Sequence, residues 1–322
     1  MNDACYTYSQ QLMGTTVSLQ LLTENPQAVA AVFNTIKALE TRLTVNRPHS
    51  EVMSINHAAG KHAVVVSELV FDLIKQAKQA SLLPNSSFNL AIGPLVKLWK
   101  IGFNGHRVPD AQSINEKRRL IDPNLIELNQ HNHSVYLAKK GMEIDLGAIA
   151  KGYIADIIKL VLAQHNIHHA IINCGGNVLT IGSSPFTPNQ HWQVGLKKPF
   201  ASATSLLGII QVQDKSVVTS GIYERYFVQD DQIYHHIINP ATGYPLNNEL
   251  DSITIISTNS LTGDIFSTIM YGLGCKKGLA ALNERNSMGA IFVTKDKRII
   301  LKNQQHFQFH LLDQSYQLCP AD

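Results

Sequence analysis

The chain has 322 residues, of which 44% are hydrophobic and 16% are charged, and its formal net charge is +3. This length can bury one large core or two of ordinary size. Because the basic residues are scattered, the composition argues against nucleic-acid binding but is compatible with a small anionic ligand. The four cysteines lie far apart without C-x-x-C spacing. Neither a zinc site nor a disulfide framework is therefore expected.

No apolar stretch reaches 18 residues, so we expect no membrane-spanning or membrane-inserted segment. The opening stretch MNDACYTYSQQLMG lacks a basic start followed by an apolar run, which a signal peptide would have. A cytoplasmic location is expected, or a periplasmic one if an export signal has been removed. No repeat or obvious linker occurs. SSPFTPNQH at residues 183–191 is the best candidate for a seam between domains, and the alternative is a long loop.

Hydrophobic periodicity predicts a strand over 13–21, followed by helices that begin near Pro26, Ser67 and Pro94. Later patterns predict helices over about 148–164 and 262–273, and strands over 170–173, 192–196, 208–212, 234–238, 252–256, 290–293 and 298–301. Strands outnumber helices, and several are consecutive. This favours an α+β protein with mostly antiparallel sheets flanked by helices.

The predicted helix GDIFSTIMYGLG, residues 263–274, carries a candidate cation site. Asp264 and Thr268 are four residues apart and share one helical face, with Ser267 beside them. A carboxylate and a hydroxyl are hard oxygen donors that suit Mg²⁺. Alternatively, Asp264 only complements the helix dipole in the first turn and Thr268 only packs.

Two glycine-containing stretches are candidates for contact with an anion. EIDLGAIAKGY, residues 143–153, turns at Gly147 and opens a helix where Lys151 adds positive charge to free backbone N–H groups. NCGGN, residues 173–177, follows an apolar strand, and its paired glycines allow close backbone approach. Each stretch is equally compatible with a tight turn. Neither matches the spacing of a P-loop or of a Rossmann nucleotide site.

HHIINPATGYP, residues 235–245, places two histidines before a turn stiffened by two prolines and a glycine. Imidazole titrates near neutral pH, so His235 and His236 are the plausible acid–base candidates. On a strand they would point to opposite faces, and only one could face a given site. Ser220 in the nearby TSGIYERYF has no nucleophile elbow around it.

Taken together, these stretches resemble the ApbE-type flavin transferases (FAD:protein FMN transferases). The matching pieces run in order along nearly the whole chain. They are MGT at 13–15, SEVMSIN at 50–56, FNLAIGPLVKLW at 88–99, IDLGAIAKGY at 144–153, NCGGN, TSGIYERYF, HIINPATGYP and the DIFST helix.

The resemblance implies one catalytic domain over residues 1–322 with a T-fold-like architecture, in which two interleaved subdomains would enclose the site in a cleft. It implies a Mg²⁺-dependent enzyme that takes FAD as substrate and transfers FMN to a threonine or serine hydroxyl. The acceptor would be a redox protein carrying a flavinylation motif, and AMP would leave.

The family's site residues fall on defined positions here. The metal site maps onto the Ala148 carbonyl, Asp264 and Thr268, with Ser267 adjacent, and the reactive histidine maps onto His236. Lys151 would grip the flavin substrate or stabilise charge in the transition state. The flavin contacts map onto Met13, Asn46, Ser87, Phe88, Asn89, Asp145, Lys151 and Ile238.

This chain departs from the family pattern at Asn89 and Asn239, where aspartate is frequent. Both replacements remove charge but keep hydrogen-bonding capacity, so they bear on flavin affinity more than on the fold. Two other activities remain open from the sequence. One is an FAD pyrophosphatase that releases FMN and AMP, and the other is a non-catalytic FAD-binding protein. Cys5 lacks the preceding apolar region of a lipobox.

Overall fold

The computed structural model describes residues 5–103, 105–202 and 204–321. Part of the opening stretch that was compared with a signal peptide, residues 1–4, lies outside the described residues. Among the helices that are described, none combines the length and the apolar character needed to cross a bilayer.

The helices are α1 (Pro26–Leu43), α2 (Glu51–His57), α3 (Glu68–Ser81), α4 (Gly93–Trp99), α5 (Ala111–Arg118), α6 (Ala150–Gln164) and α7 (Ser260–Asn283). The strands are β1 (Tyr6–Leu12), β2 (Thr15–Leu21), β3 (Val64–Val65), β4 (Ile126–Asn129), β5 (Ser134–Leu137), β6 (Ala170–Cys174), β7 (Asn177–Ile181), β8 (Trp192–Lys197), β9 (Leu206–Val212), β10 (Ser216–Gly221), β11 (Tyr226–Gln229), β12 (Gln232–His235), β13 (Leu250–Ser257), β14 (Gly289–Thr294), β15 (Arg298–Lys302), β16 (Gln308–Leu311) and β17 (Gln317–Cys319).

A nine-stranded sheet in the order β1-β2-β6-β7-β10-β13-β14-β15-β17 is the largest element. Its neighbouring strands pair antiparallel except for β15 and β17, which are parallel. Smaller sheets have the orders β16-β9-β8, β3-β5-β4 and β11-β12, and all of their pairs are antiparallel. The predicted α+β class with mostly antiparallel sheets is confirmed.

The chain divides into two compact units. Unit 1 comprises residues 1–40, 149–221 and 249–322, and unit 2 comprises residues 41–148 and 222–248. The nine-stranded sheet, helix α6 and helix α7 belong to unit 1. Residues 183–191 connect β7 to β8 inside unit 1, so this stretch is a long loop and not a seam between domains.

The long apolar patterns predicted their helices well. Pro26 begins α1, and residues 93–99 form α4 with a proline in its first turn, because proline has the φ that a helix start requires. Ser67 precedes α3 as predicted, but it does not cap it through its side chain. Its Oγ donates to Glu51 Oε1 instead, at 3.0 Å.

Two predicted boundaries differ from the structure. The strand expected over 234–238 ends at His235, because the N–H of His236 donates to the Arg225 carbonyl and the chain then leaves the β11-β12 hairpin. The helix expected to end near residue 273 continues to Asn283. Its helical backbone is interrupted at Gly274, where φ is 70°, so the first helical segment does end near residue 273 and a second segment follows after the kink.

Candidate functional site

The buried carboxylate of Asp264 is the centre of the polar cluster in unit 1. Asp264 lies in the second turn of α7 and is 5% exposed. Its Oδ2 accepts a hydrogen bond from the backbone N–H of Gly152 at 2.6 Å, and its Oδ1 accepts one from Asn177 Nδ2 at 2.9 Å. Helix α6 and strand β7 thus hold the carboxylate from two sides.

Burial raises the pKa of Asp264 to about 6, because the charged form loses its hydration. The positive charge of Lys151, in the first turn of α6, opposes that rise, as do the hydrogen bonds from Gly152 and Asn177. The negative charge of Asp156 adds to it. A carboxylate in this environment is stabilised by any further positive charge beside it.

Gly152 can have no side chain at this position. A Cβ there would meet the carbonyl group of Ser260 and would lie 2.7 Å from Asp264 Oδ2. The glycine in the AKGY stretch is therefore required by the close approach of α6 to the start of α7, which also brings its N–H to the carboxylate.

Behind the carboxylate, Asn177 is held by two serines. Its Oδ1 accepts a hydrogen bond from Ser260 Oγ at 2.5 Å, and Ser260 Oγ accepts one from Ser216 Oγ at 2.9 Å. All three side chains are buried. The network joins β7, β10 and the first residue of α7.

The other hydroxyls of the predicted metal site lie on the same helix. Thr268 Oγ1 donates to the Asp264 carbonyl at 3.3 Å, and Ser267 Oγ donates to the same carbonyl at 3.2 Å. Ser220 Oγ donates to Ser267 Oγ at 2.8 Å, so Ser220 supports α7. Thr268 is half-buried and Ser267 is buried. Ala148, the remaining predicted ligand, belongs to unit 2 and is exposed.

Asp156 fixes the beginning of α7. Its two carboxylate oxygens accept hydrogen bonds from the backbone N–H groups of Ser260, at 2.7 Å, and Leu261, at 2.9 Å. These N–H groups would otherwise lack helical partners. Burial raises the pKa of Asp156, and the two N–H donors oppose that rise. Asp264 lies one turn further along α7, so Asp156 fixes the start of the helix that carries the Asp264 carboxylate.

These residues fit a divalent cation. Between residues 5 and 321, leaving out 104 and 203, no three His, Cys, Asp or Glu side chains converge on a metal position. A cation would therefore depend on mixed oxygen donors, of the kind that Mg²⁺ prefers. In the described contacts each oxygen of Asp264 accepts one hydrogen bond. A carboxylate offers about four acceptor positions, so it has room for a cation as well.

In unit 2, the two adjacent histidines have different surroundings. His235 is buried, its Nε2 donates to the Leu246 carbonyl at 2.7 Å, and its Nδ1 accepts from the Ile237 N–H at 3.3 Å. His236 is half-buried, and its Nδ1 donates to the Arg225 carbonyl at 3.2 Å. Since Nδ1 carries the proton in that bond, the lone pair of the neutral His236 ring is on Nε2.

The stiff turn after the histidines is held from two sides. Trp99 Nε1 donates to the Gly243 carbonyl at 2.8 Å, and an amino group of Arg118 donates to the Ala241 carbonyl. Within the turn, the Asn239 N–H donates to the Tyr244 carbonyl at 2.8 Å. Gly243 has a φ of 78°, which favours glycine. The turn therefore fixes the backbone that follows His236.

Asp145 and Arg225 carry opposite charges that interact within unit 2. Burial raises the pKa of Asp145, while the N–H of Gly147, at 2.7 Å from Oδ1, and the charge of Arg225 oppose that rise. The guanidinium of Arg225 lies over the Phe103 ring, 5.9 Å from its centroid. Its aliphatic stem fills the space beside Gly102. Arg225 was not among the predicted site residues.

The remaining predicted flavin contacts lie in varied environments. Asn89 bonds within unit 2, because its Nδ2 donates to the Ile121 carbonyl and its Oδ1 accepts from the Ala91 N–H, both at 2.8 Å. Phe88 and Ile238 are buried, Ser87 is half-buried and Asn46 is exposed. Met13, in unit 1, is half-buried in the β1-β2 turn with a φ of 54°.

Sequence reasoning missed Asn177, Ser216, Ser260 and Asp156. Asn177 ended the NCGGN stretch, which drew attention only for its glycines. The only available signal was an amide directly after a glycine pair at the start of an apolar strand, and this pattern is not specific. No local pattern marked Asp156 as the cap of another helix.

Comparison with known proteins identifies the family to which this chain belongs. The ApbE family model matches residues 13–292. A protein named FAD:protein FMN transferase from Klebsiella pneumoniae (strain 342) is 53% identical, with 98% of each chain covered. One of the same name from Treponema pallidum (strain Nichols) is 34% identical, covering 91% of this chain and 86% of the relative.

Solved structures give the same result. The crystal structure of the ApbE protein from Thermotoga maritima superposes with a TM-score of 0.82 at 29% identity, covering 92% of this chain and 96% of the other. The chain belongs to the ApbE family. The family resemblance predicted from the sequence motifs is confirmed.

Proposed function

We propose that this protein is an FAD:protein FMN transferase that moves FMN from FAD to a threonine or serine hydroxyl of an acceptor redox protein. The observation that carries the proposal is the buried Asp264 carboxylate, held by Gly152 and Asn177 beside Lys151 in a chain of the ApbE family. The names of the relatives from Klebsiella pneumoniae and Treponema pallidum support the activity.

Mg²⁺ would be held in unit 1 by Asp264 and Thr268, with Ser267 supporting the same helical turn. When bound, the ion neutralises charge on the pyrophosphate of FAD and polarises the phosphorus under attack. The positive charge of Lys151 would stabilise the negative charge that develops on the phosphate oxygens in the transition state. Because Asp264 is buried, its negative charge is poorly hydrated, and a positive charge beside it stabilises the ionised form.

His236 would act as the general base through Nε2, since Nδ1 donates to the Arg225 carbonyl. The acceptor oxygen would form a bond to the FMN phosphorus and pass its proton to His236. The bond from that phosphorus to the bridging oxygen would break, and AMP would leave with this oxygen. The stiff turn at 239–245 would hold the imidazole in place, which explains its density of proline and glycine.

Intact-mass analysis of a candidate acceptor, incubated with the protein, FAD and Mg²⁺, tests this function directly. Covalent addition of FMN, abolished by a chelator, is the expected result. AMP and free FMN without an adduct would mean a pyrophosphatase, and unchanged FAD would mean a binding protein. Either outcome would overturn the proposed transferase.

Two variants separate the roles. Asp264→Ala should lower the transfer rate roughly 100-fold or more, because several kcal/mol of charge stabilisation are lost. His236→Ala should lower it by about 100- to 10,000-fold, as expected for loss of a general base, while equilibrium FAD binding is retained. His310→Ala, on an exposed position of β16, is the matched control and should leave transfer unchanged. Near-normal transfer by Asp264→Ala would contradict the assignment.

A further inference from the structure

The hydrogen bonds behind Asp264 have a defined direction. An ionised carboxylate only accepts, so Asn177 must present its Nδ2 to Asp264 Oδ1, at 2.9 Å. Its Oδ1 then faces Ser260 Oγ, at 2.5 Å, and an amide oxygen only accepts, so Ser260 must donate. Ser260 therefore fixes the orientation of the Asn177 amide, with Oδ1 toward Ser260 and Nδ2 toward the Asp264 carboxylate.

The backbone pairing of β7 does not depend on this amide. The backbone of Asn177 already pairs with Cys174 in the β6-β7 ladder, and the rest of β7 is buried and mostly apolar. A buried polar side chain is unfavourable unless its hydrogen bonds are complete, and an apolar residue would pack into β7 without that requirement. Asn177 is 2% exposed and Ser260 is fully buried. A complete buried network of this kind holds its members in one geometry.

The geometry points to Asn177 and Ser260 as positioning residues that orient the Asp264 carboxylate toward a divalent cation. The inference rests on the proposed function, because it assigns the cation to Asp264. Asn177 fixes the rotation of the carboxylate by bonding one oxygen, while the Gly152 N–H bonds the other. Ser260 acts through Asn177. Partners of a metal ligand commonly change metal affinity by about 10- to 100-fold when they are removed.

The test is a Mn²⁺ titration of the full chain with saturating FAD, in which electron paramagnetic resonance reports free Mn²⁺ and protein-free FAD provides the background. We expect Asn177→Ala to weaken Mn²⁺ binding at least about 10-fold. Ser260→Ala should weaken it less. The double variant should match Asn177→Ala, because Ser260 has no route to the carboxylate once the amide is gone. In the transfer assay, the cation concentration for half-maximal rate should rise, while the rate at saturating cation recovers.

Thr180→Ala is the matched control. Thr180 is buried on the same strand, donates to the Lys215 carbonyl at 2.9 Å and accepts from the Lys215 N–H at 3.1 Å. The Thr180→Ala substitution therefore removes buried hydrogen bonds of β7 that are comparable in number but do not involve Asp264. Its Mn²⁺ affinity should equal that of the wild type, even if its thermal stability falls.

Each result decides between distinct conclusions. If the wild type binds no Mn²⁺, the metal assignment of the proposed function fails and this inference fails with it. If the wild type binds Mn²⁺ and Asn177→Ala binds it within twofold as tightly, only the positioning role fails. Additive losses in the double variant would refute the action of Ser260 through Asn177. Equal weakening in Thr180→Ala would show a general loosening instead. If Asn177→Ala does not fold, Ser260→Ala decides, with at least threefold weaker binding expected.

Discussion

The Gly152 N–H donates to the Asp264 carboxylate at 2.6 Å, although 112 residues separate the two in the chain. This contact requires α6 and α7 to approach so closely that only a residue without a side chain fits between them. The same glycine therefore sets the spacing of two helices and supplies a donor to the central carboxylate of unit 1.

Replacement of Gly152 by alanine should disturb both roles. Its Cβ would lie 2.7 Å from Asp264 Oδ2, and the helices must shift to relieve the overlap. Overpacking of this kind costs about 1–3 kcal/mol of the free energy of unfolding, which urea denaturation can measure. Mn²⁺ affinity should fall as well. Ala163→Ser, at an exposed position of α6, is the control. It should leave Mn²⁺ affinity unchanged and lower the free energy of unfolding by less than about 0.7 kcal/mol, through helix propensity alone.

The Asp156 carboxylate caps α7 from another helix, so Asp156→Ala should loosen the start of α7. Loss of a helix N-cap costs about 1 kcal/mol, which thermal or urea unfolding detects. Hydrogen exchange of the Ser260 and Leu261 amides should also become faster. Asp110→Ala removes the cap of α5 and should destabilise unit 2 comparably without changing these two amides. Unchanged exchange in Asp156→Ala would show that the cap does not hold α7.

His235 is expected to stabilise unit 2 rather than to react. Both of its ring nitrogens make buried hydrogen bonds, to Leu246 and to Ile237. Two such bonds contribute about 2 kcal/mol, so His235→Ala should lower the free energy of unfolding by at least that amount. His236→Ala should lower it by less, because His236 is half-buried. Equal stability of wild type and His235→Ala would contradict the structural role.

The cysteines should differ in reactivity because only a thiolate reacts with alkylating reagents. Burial raises the pKa of Cys174 and that of Cys275 to about 12, so about one thiol in 10⁴ is ionised at pH 8. Raising the pH toward 12 would increase that fraction. Native protein treated with iodoacetamide at pH 8 should therefore be labelled at the exposed Cys5 and spared at Cys174. Mass spectrometry of the peptides, with a urea-unfolded control, measures both rates, and equal native rates would contradict the prediction.

Local patterns predicted the elements whose signals are local. Proline at the start of α1 and of α4, with apolar residues at helical spacing, was sufficient because neighbouring residues decide helix entry and amphipathic burial. Strand β7 was not predicted, although β13 and β14, whose residues are equally buried, were. Its first residue, Asn177, belongs to the NCGGN stretch, which indicated a turn or a ligand contact rather than the start of a strand. The strand expected over 234–238 lies over 232–235 in the structure. It ends there because the hydrogen bond between the His236 N–H and the Arg225 carbonyl is the last of the hairpin, and no local sequence pattern indicates this long-range pairing.

By itself the sequence determined the helix-forming segments, the stiff turn after His236 and the family motifs, because spacing and residue chemistry are local properties. Only the tertiary structure decided which atoms surround Asp264. Asn177 lies 87 residues from Asp264 in the chain, and Gly152 lies 112 residues away. Their convergence depends on how β7 pairs in the sheet and how α6 packs against α7. Such pairing arises from the sum of many weak contacts across the whole core rather than from any one stretch.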